Sequence, residues 1–213
     1  MTSFFWSKIV EIYQQAFSVL KKNPTILFLF LWLGILDALA LIALFFAPSA
    51  PFSYVLAPII RTFWSDRFLH YPDNFLLLPK LFSHAHFAIS TVIGAFITGL
   101  VIKKIEADTK GEKISTLFAA GRISRYYFSL VIAWLISYGI FAFTLKGVLF
   151  ILPKNALIQL VIGFILGLLV QAFISFLLPA IVILENGFFK ALWEGFRFGA
   201  KNMLITMGLI VCR

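Results

Sequence analysis

The sequence predicts an all-α fold: a polytopic membrane helical bundle with four full transmembrane helices, a truncated fifth, and cytoplasmic amphipathic interfacial helices. Three observations carry that expectation. Hydrophobic residues make up 62% of the chain and charged residues only 13%, against about 45–50% and 25% in soluble domains. The apolar residues are gathered into long blocks, the longest at 156–184 with few polar interruptions, Gln171 and Ser175 among them. A bilayer core about 30 Å thick needs roughly 20 helical residues to cross it, and that block exceeds the length. Finally, Lys and Arg cluster at the block ends, where the positive-inside rule expects them.

The segment 1–23 is too polar to span. On a helical wheel Phe5, Ile9, Ile12, Tyr13, Ala16, Val19 and Leu20 share one side, opposite Lys8, Glu11, Gln14, Gln15, Ser18, Lys21 and Lys22. That pattern suits a helix lying in the interface, and equally one packed on the bundle's own cytoplasmic face. Pro24 then opens the first span, 24–47, because its missing N–H is not needed in a first helical turn. Residues 48–85 read as the outer loop. With Pro48, Pro51, Pro58, Pro72 and Pro79 among Phe63, Trp64, Phe68 and Tyr71, it is too aromatic for a solvated linker and suits an interfacial cap.

The second span, 86–102, carries Ser90, Gly94 and Thr98 at four-residue spacing, with Thr91, Ala95 and Gly99 beside them. Small residues so spaced allow a neighbouring helix to approach closely. After Lys103 and Lys104 comes a mixed-charge stretch with a turn at 108–111 and a second interfacial helix expected over 114–125. The third span is 126–152. The turn Pro153-Lys154-Asn155 is short enough to make the third span and the fourth, 156–184, an antiparallel hairpin. Gly163 and Gly167 form a small-residue pair on the fourth span, Gln171 is placed to hydrogen-bond a neighbouring helix, and Pro179 is placed to kink the exit. A basic interfacial helix follows at 187–202, with Lys190, Glu194, Arg197 and Lys201 on one stripe, and 203–213 begins a partial span.

The formal charge of +9 does not point to nucleic acid, because the basic residues flank apolar runs and form no separate basic domain. Anionic lipid headgroups account for them better. The expected headgroup contacts are Lys21, Lys22, Lys103, Lys104, Lys190, Arg197 and Lys201. Lys and Arg crowd the leader, the 103–125 segment and the 190–201 segment, which predicts a multi-pass cell-membrane protein with its N-terminus cytoplasmic. The only cysteine is Cys212, so neither an internal disulfide nor a Cys-based metal site can form.

Chemistry-bearing residues are few. Asp37 is the one charge in its span, and a carboxylate at that depth is costly enough to need a partner. Lys146, toward the same outer half, is the expected one. The pair reads either as a structural ion pair or as part of a proton, ion or substrate path. His70, His84 and His86 with Asp66 and Asp73 match no zinc or di-metal spacing, so no metal or other cofactor is expected. Neither a phosphate-binding glycine loop nor a nucleophile elbow is present.

The leader, residues 3–33, and the stretch Leu178-Pro179-Ala180-Ile181-Val182-Ile183-Leu184-Glu185-Asn186-Gly187, continuing through Ala191-Leu192 to Lys201-Asn202, resemble a group of poorly characterised bacterial and archaeal membrane proteins. That group is similar to the membrane domain attached to some glycerophosphodiester phosphodiesterases. The resemblance implies about six spans, and this chain stops before the last of them. It also lacks the His-Arg-Gly stretch of the phosphodiesterase domain, so no activity carries over. The expected role is a non-enzymatic membrane domain that scaffolds, anchors or regulates a membrane protein partner or a second copy. The alternative is a transporter or channel component using Asp37 and Lys146; a lipid enzyme is the third reading.

Overall fold

The computed structural model describes residues 2–112, 114–151, 156–185 and 188–211. It is 89% helical, and no strand occurs among the described residues. Four helical stretches are long and apolar enough to cross a membrane: Thr25–Phe45, Asp73–Thr109, Thr116–Ile151 and Leu157–Leu184. Contacts divide the chain into two compact units where the sequence suggests a single domain over 1–213. One comprises Met1–Ile26 with Ala95–Arg213, and the other Leu27–Gly94.

The smaller unit contains most of helix α2 (Thr25–Phe45), then α3 (Phe52–Phe63), a 3-10 turn (Asp66–Leu69), α4 (Asp73–Ile89) and a π-helical turn (Ser90–Gly94). The stretch expected as a loop, 48–85, is therefore largely helical. Pro51 and Pro72 sit immediately before helices, where a missing N–H breaks no bond, while Pro58 and Pro79 lie inside α3 and α4. Its aromatic content is used internally. Ala47, Ile60, Phe68 and Leu81 form a buried cluster, with Leu44, Leu56, Trp64, Leu69 and Leu77 packed around it. Phe45 meets Phe75 edge-on at 5.5 Å, and Trp64 meets His84 at 5.7 Å.

The larger unit contains α1 (Thr2–Lys22), α5 (Ala95–Thr109), α6 (Thr116–Ile151), α7 (Ala156–Ile174), α8 (Leu177–Leu184), α9 (Phe188–Lys201) and α10 (Met203–Val211). Gly111, at φ +74°, supplies the left-handed residue after α5, and Glu112 N–H closes the end onto the Ala107 carbonyl. Ser115 caps α6 by accepting from Phe118 N–H at 3.2 Å. From there α6 runs 36 residues, about 54 Å at 1.5 Å per residue. The interfacial helix expected over 114–125 and the span over 126–152 are thus one element, since nothing between them breaks a helix.

The fourth apolar run behaves oppositely. It divides at Ser175–Phe176, because Pro179 has no N–H for the carbonyl four residues earlier and its ring would collide there. Ser175 Oγ donates instead to the Gln171 carbonyl at 2.6 Å. Gly163 faces Val148 and Gly167 faces Phe141, so numbers rise on α7 as they fall on α6 and the two helices are antiparallel. The connecting residues 153–155 lie outside the described residues.

The buried centre of the larger unit is Ile123, Leu130, Ile181 and Val182. Helix α5 packs on α6 at Gly99, whose missing Cβ would lie 2.8 Å from Leu130 Cδ1 and 3.0 Å from Ile123 Cγ2. Helix α9 packs through a stripe of small residues, Ala191, Gly195 and Gly199, all buried. A Cβ on Gly195 would meet the Phe176 carbonyl oxygen at 3.0 Å, and one on Gly199 the Phe173 carbonyl oxygen at 3.1 Å. These are backbone-on-backbone approaches. The aromatics of α9 turn outward: Phe189, Trp193, Phe196 and Phe198 are all more than half exposed.

Candidate functional site

Two polar constellations stand out against the apolar helices. The first is within the smaller unit. Asp37 Oδ1, on α2, lies 3.1 Å from His86 Nδ1, on α4. It is an ion-pair distance at which no hydrogen bond is made, and Oδ1 is buried with no donor. On the far side of the ring, His86 Nε2 is 3.4 Å from Ser90 Oγ. The tautomer of His86 decides which of these two atoms donates. Ser90 begins the π-helical turn, a wide turn that recurs at functional sites. Thr91 Oγ1, one residue on, is likewise buried without a partner. Carboxylate, imidazole and hydroxyl thus follow one another in a line. Lys146 belongs to the other unit, exposed on α6; the partner Asp37 has within its own unit is His86.

The second constellation is an alternating chain of charges in the larger unit. Lys110 Nζ donates to Glu106 Oε1, and Lys103 Nζ donates to Glu106 Oε2 at 2.8 Å. Lys103 also donates to Glu185 Oε1 at 2.7 Å, and Arg122 Nη1 reaches the same oxygen at 3.2 Å. Glu185 joins the end of α8 to α5 and α6, and Tyr126 OH donates to its carbonyl at 3.4 Å. Its backbone is left-handed, with φ 49°, a conformation rarely adopted outside glycine and asparagine. The hydrogen bond from Lys103 is the main reason its carboxyl sits below the ordinary glutamate range. The charges of Lys103 and Arg122 add to that and outweigh desolvation.

Lys103 and Lys104, two of the expected headgroup residues, are buried, each 8% exposed. Lys103 holds two carboxylates, while Lys104 donates to Thr25 Oγ1 at 3.1 Å and Thr116 Oγ1 at 3.0 Å. Burial on these terms is possible because each ammonium finds fixed acceptors. The other expected headgroup residues, Lys21, Lys22, Lys190, Arg197 and Lys201, are exposed.

The small-residue positions divide similarly. Gly94 is buried, but a Cβ there would make only ordinary contact, 3.7 Å from Leu33; Ser90 and Thr98 are half-buried. The tight face of that helical run is at Gly99. Gly163 and Gly167 are buried at ordinary contact distance, and Gln171 is exposed, its carbonyl engaged by Ser175. Sequence reasoning passed over Gly195 and Gly199, although their four-residue spacing was visible. It also passed over the Asp37–His86 and Lys103–Glu185 pairs, for which no local spacing exists.

Among the described residues no three His, Cys, Asp or Glu side chains come together as a metal-holding group. Asp66 is shared between Arg61 at 2.7 Å and His70 at 2.9 Å, and their hydrogen bonds, that of His70 first, hold its carboxyl below the usual range. His84 Nδ1 lies 2.7 Å from the Lys80 carbonyl. A cavity of about 580 Å³ opens beside Glu185 along the first turns of α6, lined by both apolar and basic side chains. Comparison with family models, with curated proteins and with solved structures finds no match.

Proposed function

We propose that this chain is a multi-pass integral membrane domain with a cytoplasmic N-terminus, serving to scaffold, anchor or regulate a membrane partner or a second copy of itself. The observation that carries the reading is where the large apolar side chains point. Only 6% of the α2 apolar window is buried within the protein, and Phe28, Leu31 and Trp32 are more than half exposed. Phe143 and Phe150 on α6 and Leu157 and Leu160 on α7 are exposed further still. Such a surface needs an apolar solvent, and helices are the form in which backbone can enter one. The charges support the orientation: residues 25, 103–110, 116, 122 and 185, linked by the polar contacts of the larger unit, all fall at segments that the Lys/Arg count assigns to the cytoplasmic side. The amphipathic pattern of α1 and α9 suits them to the interface beside those segments. The likeness of the 178–202 exit to the phosphodiesterase-linked membrane domains is part of the same proposal and rests on sequence.

The test is fractionation of the expressed full chain, with sodium carbonate extraction of the membranes. Retention in the pellet supports the reading, and release into the supernatant overturns it. Crosslinking in native membranes then addresses the role. A stoichiometric partner or homodimer band is expected, and a purely monomeric chain would remove the scaffolding assignment.

The line Asp37–His86–Ser90 favours a second reading, a proton or ion path. Reconstituted protein would then carry a pH-driven flux that Asp37→Asn and His86→Gln each abolish. Flux no greater than in protein-free vesicles would eliminate it.

A further inference from the structure

The cavity beside Glu185 has a chemistry that its own carboxylate does not exhaust. Arg122, Arg125 and Tyr126 line it from one face of α6, together with Leu117, Phe118 and Glu185. Spacings of three and four residues bring Phe118, Arg122, Arg125 and Tyr126 to the same side of a helix. Glu185 is the one acid in the lining, and its Oε1 is already taken by Lys103 as well as by Arg122. The alternating chain therefore reaches the cavity on a cation. Lys110, Lys103 and Arg122 carry three positive charges against the two of Glu106 and Glu185, and Arg125 has no carboxylate partner among the described residues. The guanidinium of Arg122 stacks 5.2 Å from the Phe118 ring centroid, which helps hold it at the cavity wall. At the rim Leu117 is 88% exposed and Phe118 54%. The site thus combines two planar, fixed-charge donors, a phenol, and an apolar lip.

We propose that this cavity binds a phosphate-bearing anion through Arg122 and Arg125, supplied in the membrane by the headgroup of an anionic phospholipid whose chains run from there along α6 toward its membrane-spanning part. Guanidinium forks match phosphate oxygens in geometry as well as charge. The volume admits a headgroup, and the arginines lie where α6 enters its apolar stretch. A free phosphorylated solute would use the same donors. The inference rests on the membrane reading above.

Arginine modification by phenylglyoxal, read by peptide mass on the detergent-purified full chain, tests it. Phosphatidylglycerol in mixed micelles should slow modification of Arg122 and Arg125 by about tenfold, the equivalent of one charge-assisted hydrogen bond. Phosphatidylcholine should not, and Arg61 and Arg67 should be unaffected by either. Protection by inorganic phosphate to the same degree would keep the site but assign it to a soluble phosphate. Arg125→Gln, which breaks no ion pair, should abolish the protection of Arg122 while leaving thermal stability unchanged. No protection by any of the three, or equal protection of Arg61 and Arg67, overturns the proposal. A chain that leaves the membrane on carbonate extraction would defeat the membrane reading instead, and the two failures are read in separate experiments.

Discussion

At the scale of single residues, the two constellations make opposite demands on their partners. Asp37 has a buried oxygen with a histidine nearby but no aligned donor, so its environment is only partly compensated. A double-mutant cycle measures how much His86 contributes. Asp37→Asn and His86→Gln should couple by about 0.5–1.5 kcal/mol in thermal stability, the range of interhelical polar contacts in membranes. Asp37→Asn with Lys146→Met should be additive if His86 is the partner. The reverse outcome would return the pairing to Lys146, as the sequence expected. Glu185, in contrast, accepts from two cations. Glu185→Gln keeps an acceptor but removes the charge from a site 36% exposed, and after allowance for solvent screening should cost about 1–2 kcal/mol. Because the folded carboxyl is depressed below the ordinary value of 4.5, its stabilisation is fully present above that pH. It is lost as the pH falls from 4.5 through the lower folded value. Acid titration of melting temperature should show this loss in the native chain and not in Glu185→Gln.

At the scale of elements, helix contact is decided by what lies opposite each glycine. Opposite Gly195 and Gly199 are carbonyl oxygens and Cα atoms at 3.0–3.2 Å, which cannot rotate away. Gly195→Ala and Gly199→Ala should therefore each destabilise by about 1–3 kcal/mol, the cost of overpacking. Gly94→Ala, with ordinary contact distances, should be close to neutral. Melting of the three variants in one detergent checks the order, and equal losses would mean that α9 is not held by this stripe. Much of this level was legible. The apolar lengths, the proline start of α2 and the small-residue rows are all local, and four apolar stretches long enough to cross a membrane are present, two of them, Asp73–Thr109 and Thr116–Ile151, running well beyond the expected 86–102 and 126–152. What was not legible depends on the far side of each contact. A glycine row identifies a helix that permits close approach, but the partner's backbone decides which row is used, and here it is Gly195/Gly199 and Gly99. The burial of Lys103 and Lys104 was not legible for the same reason, since their acceptors come from Glu185, Thr25 and Thr116 as well as from the i+3 neighbour Glu106. Continuous α6 was hidden because a change from polar to apolar composition looks like a boundary, although no residue there interrupts a helix.

At the scale of the molecule, charge and contact together bear on how the chain is threaded. Positive residues decide orientation when they lie close to span ends, and 103–125 carries the densest group. The structure adds that this stretch is not a free basic loop, because Lys103, Lys104 and Arg122 are tied by polar contacts to the ends of other helices in the same unit. Inverting one span would pull those contacts apart, so the orientation of the whole larger unit should be inherited from a single side. In the smaller unit, residues 47–81 are held together by their own cluster and should share one side of the membrane as one body. Ser65 and Lys110 are suitable reporters, since both are exposed and lie at the two extremes of this scheme. With Cys212 replaced by serine, a cysteine at position 65 should react with an impermeant maleimide in intact cells. A cysteine at position 110 should react only after the membrane is opened. Lys110 donates to Glu106, so its replacement removes one link of the charge chain; Glu112→Cys, two residues on, is the control that leaves the chain intact. Labelling at 110 and 112 with protection at 65 would reverse the orientation, and labelling at all three in intact cells would mean that the chain does not cross the membrane between them.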